Sequence, residues 1–214
     1  IDFCDDSLHT NGNLSICGGT YTLSTGDDGM HADGADQVYG GEITIKTCYE
    51  GIEGQNMEIS GGTIDITASD DGNGALDYNG TATITGGTLV AAGMSGMEQN
   101  FGSDSTQGTL MMNLTDNQSG KITLEDANGN TLVSYTPMRE YNSVVISCAE
   151  LSDGSTYTIH TGENSREVTM EGLVYTDGEV TNAPGQGGGQ KPQGGPMGDN
   201  SGDSDNSDNS DRPT

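Results

Sequence analysis

The sequence predicts an all-β fold: a right-handed parallel β-helix of about four coils of 21–25 residues, with a C-terminal antiparallel β cap and a disordered tail. Three observations predict it. An acidic turn recurs as Cys4-Asp5-Asp6-Ser7-Leu8-His9, Gly26-Asp27-Asp28-Gly29-Met30-His31, Cys48-Tyr49-Glu50-Gly51-Ile52-Glu53 and Ser69-Asp70-Asp71-Gly72, its second members 22, 22 and 21 residues apart. The pairs Gly18-Gly19, Gly40-Gly41, Gly61-Gly62 and Gly86-Gly87 recur independently at 22, 21 and 25. Between the markers apolar and polar side chains alternate, the period of a strand with one buried face. A repeat of this length with several short strands is one coil of a solenoid.

Taken in chain order, Leu14/Ile16, Met57/Ile59 and Ala82/Ile84 form strands before each glycine pair. Tyr21/Leu23, Ile43/Ile45 and Ile64/Ile66 form strands after it. Gly-Gly is the corner between them, where positive φ or close backbone approach is required. Right-handed winding follows from the crossover rule. Stacking then makes inward columns of Leu14, Asp36, Met57 and Ala82, and of Ile16, Val38, Ile59 and Ile84. Asp36 breaks the first column and reads as a locally bulged coil. The solenoid is expected over 1–101. From about Phe101 the period is lost, and 102–181 reads as the cap, with strands at Thr109–Leu114, Lys121–Leu124, Thr131–Tyr135, Ser143–Ser147, Tyr157–His160 and Glu167–Met170. Asn128-Gly129 is a hairpin signal between two of them. The Gly/Pro/Asp/Ser-rich stretch 182–214 reads as disordered. Ile1 enters one strand before the first repeat, so either upstream coils were removed or this open end stacks on another molecule.

Composition narrows the function. Six Lys+Arg face 33 Asp+Glu, a formal charge of −27. Such a field repels phosphates and excludes nucleic-acid binding through basic patches. No apolar run approaches the ~18 residues of a membrane helix. Cys4, Cys17, Cys48 and Cys148 make an even number, fitting a secreted chain, extracellular or at the cell surface. Cys4 and Cys48 share a column two coils apart, about 10 Å, too far to bond. A Cys4–Cys17 bridge stays open.

Stacking also places acids over acids. One column is Asp5, Asp27, Tyr49, Asp70; its neighbour is Asp6, Asp28, Glu50, Asp71; His9, His31 and Glu53 follow, with Asp33 close by. Residues 1–101 hold 16 acids and one base, Lys46. Two carboxylates about 5 Å apart repel by about 1 kcal/mol in water and about 3 at an effective dielectric of 20. One lysine does not offset this; hard cations between the rungs do. Calcium takes 6–8 oxygens in flexible geometry, so the expected metal is calcium, on Asp5, Asp6, Asp27, Asp28, Asp33, Glu50, Glu53, Asp70, Asp71 and Asp77. Zinc is disfavoured, because His9 and His31 stand among oxygen donors rather than thiolates. Without metal, this surface repels polyuronates; bridging calcium inverts the local sign.

The phrases "STGDDGMHADG", "CYEGIEG", "MEISGGTIDITASDDG" and "NGALDYNGTATITGGTLVAAG" resemble the bacterial cell-surface carbohydrate-binding family with a polysaccharide-lyase-like β-helix. The likeness continues through "GMEQNFGSDSTQG" and "TLVSYTPMREYNSVVIS" into the glycine-rich tail. The resemblance implies a right-handed parallel β-helix with bound calcium, binding to cellulose and to acidic sugars such as polygalacturonate, and no established lyase activity. One departure is the fusion of "ASDDG" directly to "NGALDYNG" at 70–80, where family members carry another coil.

Tyr39, Tyr49 and Tyr78 are candidate sugar-stacking platforms, with Lys46 pointing outward beside them. A lyase needs a base to remove the proton α to a uronate carboxylate, and Lys46 alone does not make an enzyme. A third reading, end-to-end stacking of coils into a filament or matrix fibre, uses open edges and the same calcium ladder.

Overall fold

The computed structural model describes residues 1–69 and 74–178, and within them sixteen strands and no helix. Asp70, Asp71 and the tail from residue 182 lie outside the described residues. Parallel pairing at a spacing of one coil builds three faces. On the first, β2 (Leu8–Thr10) pairs with the start of β5 (Met30–Val38), then with the start of β7 (Ile52–Thr67), then with β8 (Leu76–Tyr78). On the second, β3 (Leu14–Ile16) is followed by residues 36–38, 57–59 and the start of β9 (Ala82–Gly93). On the third, β1 (Asp2–Cys4), β4 (Thr20–Thr25) and β6 (Glu42–Thr47) lead to residues 63–67 and 88–92. The repeat read from the sequence is this β-solenoid of about four coils.

Inward positions stack as expected. Ile16, Val38, Ile59 and Ile84 share one column, and Tyr21, Ile43, Ile64 and Leu89 another. Ile43, Ile45, Ile64, Ile66 and Ile84 are at most 1 % exposed, each side chain worth about 1.5–3 kcal/mol of burial. The glycine pairs divide two tasks. Gly41, Gly62 and Gly87 have φ of 112°, 92° and 94°, which L side chains rarely adopt. Their predecessors lie against the coil before: a Cβ on Gly61 meets the Tyr39 carbonyl oxygen at 2.5 Å, and one on Gly86 meets that of Ser60 at 2.6 Å.

Asp36 corrects an expectation. The register does shift between Ala32 and Ala35, but the bulge does not turn Asp36 outward. It remains in the column between Leu14 and Met57, fully buried, with no hydrogen bond to either carboxyl oxygen.

The C-terminal part joins the solenoid rather than merely covering it. Tyr78 N–H donates to Gln99 Oε1 (2.7 Å), Gly102 N–H to the Ala82 carbonyl (2.8 Å) and Gln107 N–H to that of Ile84 (3.2 Å), extending the first two faces by one partial coil. On the third face β13 (Tyr141–Ser147) pairs antiparallel with β9; β10 (Thr109–Gln118) follows antiparallel and β16 (Val174–Asp177) parallel. A separate antiparallel sheet has the order β12 (Thr131–Tyr135), β11 (Ile122–Asp126), β14 (Thr156–Thr161), β15 (Asn164–Thr169), with Asn128-Gly129 in the β11–β12 turn. β16 had no sequence signal: Val174, Tyr175, Thr176 and Asp177 are all half-buried, without alternation. All four cysteines are free thiols, so the Cys4–Cys17 bridge is not formed.

Candidate functional site

Parallel register carries the acidic turns into columns at the entrance to the first face. His9, His31, Glu53 and Asp77 are directly stacked, each the outward residue between two inward ones, such as Met30 and Ala32 around His31. Three positions earlier stand Asp6, Asp28 and Glu50. The glycine after each of the last two is obligatory for the stacking: a Cβ on Gly29 meets the Gly51 carbonyl oxygen at 2.6 Å. Outward alternation therefore makes one column and the turn makes the other, side by side.

The contacts between columns are close. His9 Nδ1 lies 2.7 Å from Asp6 Oδ2. His31 Nδ1 lies 3.3 Å from Asp28 Oδ2 and 3.6 Å from both Asp6 Oδ2 and Glu53 Oε2. The Asp28 amide donates to Asp6 Oδ1 (3.1 Å), which fixes that carboxylate with its other oxygen toward the imidazoles. Asp28 is fully buried and Glu50 5 % exposed. Four groups bring ligand atoms within 4.8 Å of one another: Asp6, His9, His31; Asp6, Asp27, Asp28; Asp28, His31, Glu53; and Glu50, Glu53, Asp77. The last is all carboxylate, a donor set that suits a hard cation.

Of the ten residues expected to hold metal, six fall in these groups: Asp6, Asp27, Asp28, Glu50, Glu53 and Asp77. Asp5 is exposed, in register with Asp27, whose amide donates to its carbonyl (3.2 Å), and joins no group. Asp33 is exposed, 3.8 Å from His31 Nε2. Asp70 and Asp71 lie outside the described residues, and the register assigned to Asp71 is corrected: Leu76 pairs with Ile52, so Gly74 holds the position of Glu50 in the next coil. Strand starts on this face are spaced 22, 22 and 24 residues apart, and the longer last corner breaks the alignment. Sequence reasoning omitted His9 and His31 as ligands, although each lies three residues after an acid of the ladder.

The aromatic expectations separate. Tyr39 is 50 % exposed next to the Gly40-Gly41 corner, and Tyr49 is half-buried in the acidic turn, so they occupy different corners. Tyr78 is corrected: it is 2 % exposed and its hydroxyl donates to the Asn100 carbonyl (2.7 Å), part of the core rather than a platform. Lys46 is exposed on the third face. The cation nearest the ladder's turns comes instead from the C-terminal part, where Arg139 Nη1 donates to the Cys48 carbonyl (3.4 Å). Its arm is held by Met138 N–H on Thr67 Oγ1 (3.2 Å) and by Tyr135 Oη 2.7 Å from the same oxygen.

Fold and site together define a β-solenoid repeat protein with a column of potential ligands along one corner. Residues 1–98, the four coils, match the family model described as carbohydrate-binding domain-containing protein, which supports a carbohydrate-binding role for the solenoid. No curated protein and no solved structure matches the chain. Among the described residues no helix is long and apolar enough to cross a membrane.

Proposed function

We propose that this is a non-catalytic polysaccharide-binding protein of the cell surface or extracellular space, stabilised by calcium and directed to acidic sugars such as polygalacturonate and to cellulose. The observation that carries the reading is the coincidence of the carbohydrate-binding match with the coils that build the ladder. Glu50, Glu53 and Asp77 would hold calcium between the third and fourth coils, each offering a carboxylate oxygen. Calcium supplies positive charge to a surface whose own charge repels uronates. Tyr39 offers the exposed ring.

The test is retention of the full chain on insoluble pectate and on cellulose, with calcium and with EDTA. Calcium-dependent retention on pectate is expected; no retention on either matrix under any condition overturns the reading. A second reading, a calcium-dependent polysaccharide lyase, has Arg139 in its favour, since it brings a cationic side chain to the turn that leads into Glu50. The same incubations, followed by ultraviolet absorbance for unsaturated uronate, decide between them: a sustained rise makes the protein an enzyme.

A further inference from the structure

We infer that the upper rung of the ladder, where the second coil lies on the first, binds a divalent transition ion of the zinc type through His9, His31 and Asp6, at a site distinct from the all-carboxylate rung below. The donor sets differ along the axis. Asp6, His9 and His31 offer two imidazole nitrogens and one carboxylate oxygen, whereas Glu50, Glu53 and Asp77 offer oxygen alone. Imidazole is a good ligand for zinc, copper, nickel and cobalt and a poor one for calcium, so one ladder holds two chemically different ends.

Geometry around His31 points the same way. The oxygens facing Nδ1 stand at 3.3, 3.6 and 3.6 Å, and the one facing Nε2 at 3.8 Å. All are longer than the ordinary N–H···O range of ~2.7–3.2 Å. With metal–nitrogen distances of ~2.0–2.1 Å, tetrahedral ligands lie ~3.3 Å from one another. The atoms around Nδ1 are thus spaced as neighbours about a common centre rather than as donor and acceptor. His31 is 19 % exposed, an imidazole largely withdrawn from water and ringed by carboxylates without an ordinary hydrogen bond to any. His9 completes the rung from the coil above, its ring 4.7 Å from that of His31 and nearly perpendicular at 67°. Asp6 is already oriented by the Asp28 amide, an outer contact of the kind that fixes metal ligands.

His31 Nδ1 is shared with the Asp28–Glu53 group, and one nitrogen serves one ion. Commitment of His31 to the upper rung leaves the lower ion two coils away, about 10 Å at the ~4.8 Å strand spacing. The two ions therefore bind without displacing one another. The inference does not depend on calcium filling the lower rung.

The full chain, saturated with calcium, is titrated with cobalt(II), whose visible absorption reports nitrogen ligation, and bound calcium is measured in the same samples. The expected result is one equivalent of cobalt, displaced by zinc, with calcium retained. His9→Ala and His31→Ala each lower cobalt affinity by at least about tenfold and leave the calcium count unchanged. His9 is half-exposed, so His9→Gln provides a version whose fold is secure, checked by an unchanged far-ultraviolet circular dichroism spectrum. Cobalt that displaces calcium one for one, or that binds as tightly after both imidazoles are removed, overturns the inference. A chain that takes cobalt but no calcium refutes the calcium reading alone.

Discussion

Replacing Asp36 with Asn removes a pH dependence from folding. The carboxyl is fully buried in the column of Leu14, Met57 and Ala82, and neither oxygen has a hydrogen-bond partner. Its Oδ2 lies 2.5 Å from where a Cβ on Gly54 would stand, so the missing side chain of Gly54 makes its room. Burial first, and the charge of Glu53 second, push its pKa from 3.8 to about 7. The folded state therefore keeps this proton up to about pH 7 while the unfolded chain loses it near 3.8. Between those values the folded state binds more protons, so stability falls as pH rises through the window and levels off above it. The difference, 7 − 3.8, is 3.2 units, or about 4 kcal/mol in all, of which roughly 2.5 falls between pH 5 and pH 8. Asn keeps the shape and cannot ionise. Urea denaturation at pH 5, 6, 7 and 8 in EDTA measures the difference between wild type and Asp36→Asn. The variant is expected to gain on wild type by roughly 2.5 kcal/mol across that range. Parallel pH profiles for the two proteins refute the assignment of a buried, unpartnered acid.

Gly62→Ala places a side chain on a φ of 92° and its Cβ 2.9 Å from the Gly41 carbonyl oxygen, so a loss of about 1–3 kcal/mol is expected as a lower urea midpoint; an unchanged midpoint contradicts the corner geometry. Calcium at 100 times its dissociation constant is expected to raise stability by about 2.7 kcal/mol, and Glu53→Gln to abolish most of that increment. Thermal scans with calcium and with EDTA measure both effects, and a melting curve indifferent to EDTA removes calcium from the account.

The coils were legible because period and punctuation repeat. Ile16, Val38, Ile59 and Ile84 can be stacked from spacing alone, and the structure stacks them. Legibility failed where a coil changed length: the two extra residues before Leu76 move Gly74 into the register assigned to Asp71. It failed again at Tyr78, whose place in the core depends on an acceptor, the Asn100 carbonyl, 22 residues away. Arg139 was out of reach for a similar reason. It sits 91 residues from Cys48, and only the arm anchored on Thr67 brings them together. Asp36 shows the opposite error: hydrophobic patterning argued that an acid must leave the column, whereas a glycine in the next coil gives it space inside.

The alternation that builds the solenoid also separates its stability from its chemistry. Met30 and Ala32 point inward and are fully buried, while His31 between them points to the ladder. Register is therefore set by residues that touch no ligand, and the ladder's donors are carried into place before any ion arrives. That order has an energetic consequence. Carboxylates about 5 Å apart at successive rungs repel by about 3 kcal/mol per pair at an effective dielectric of 20, against a total stability of about 5–15 kcal/mol for a typical domain. Apolar columns hold the acids together against this repulsion, and the energy so stored is returned to whatever cation enters. A strand with the same inward residues and neutral outward ones would stack as well and bind no metal; the affinity belongs to the outward positions, and the precision with which they converge belongs to the inward ones.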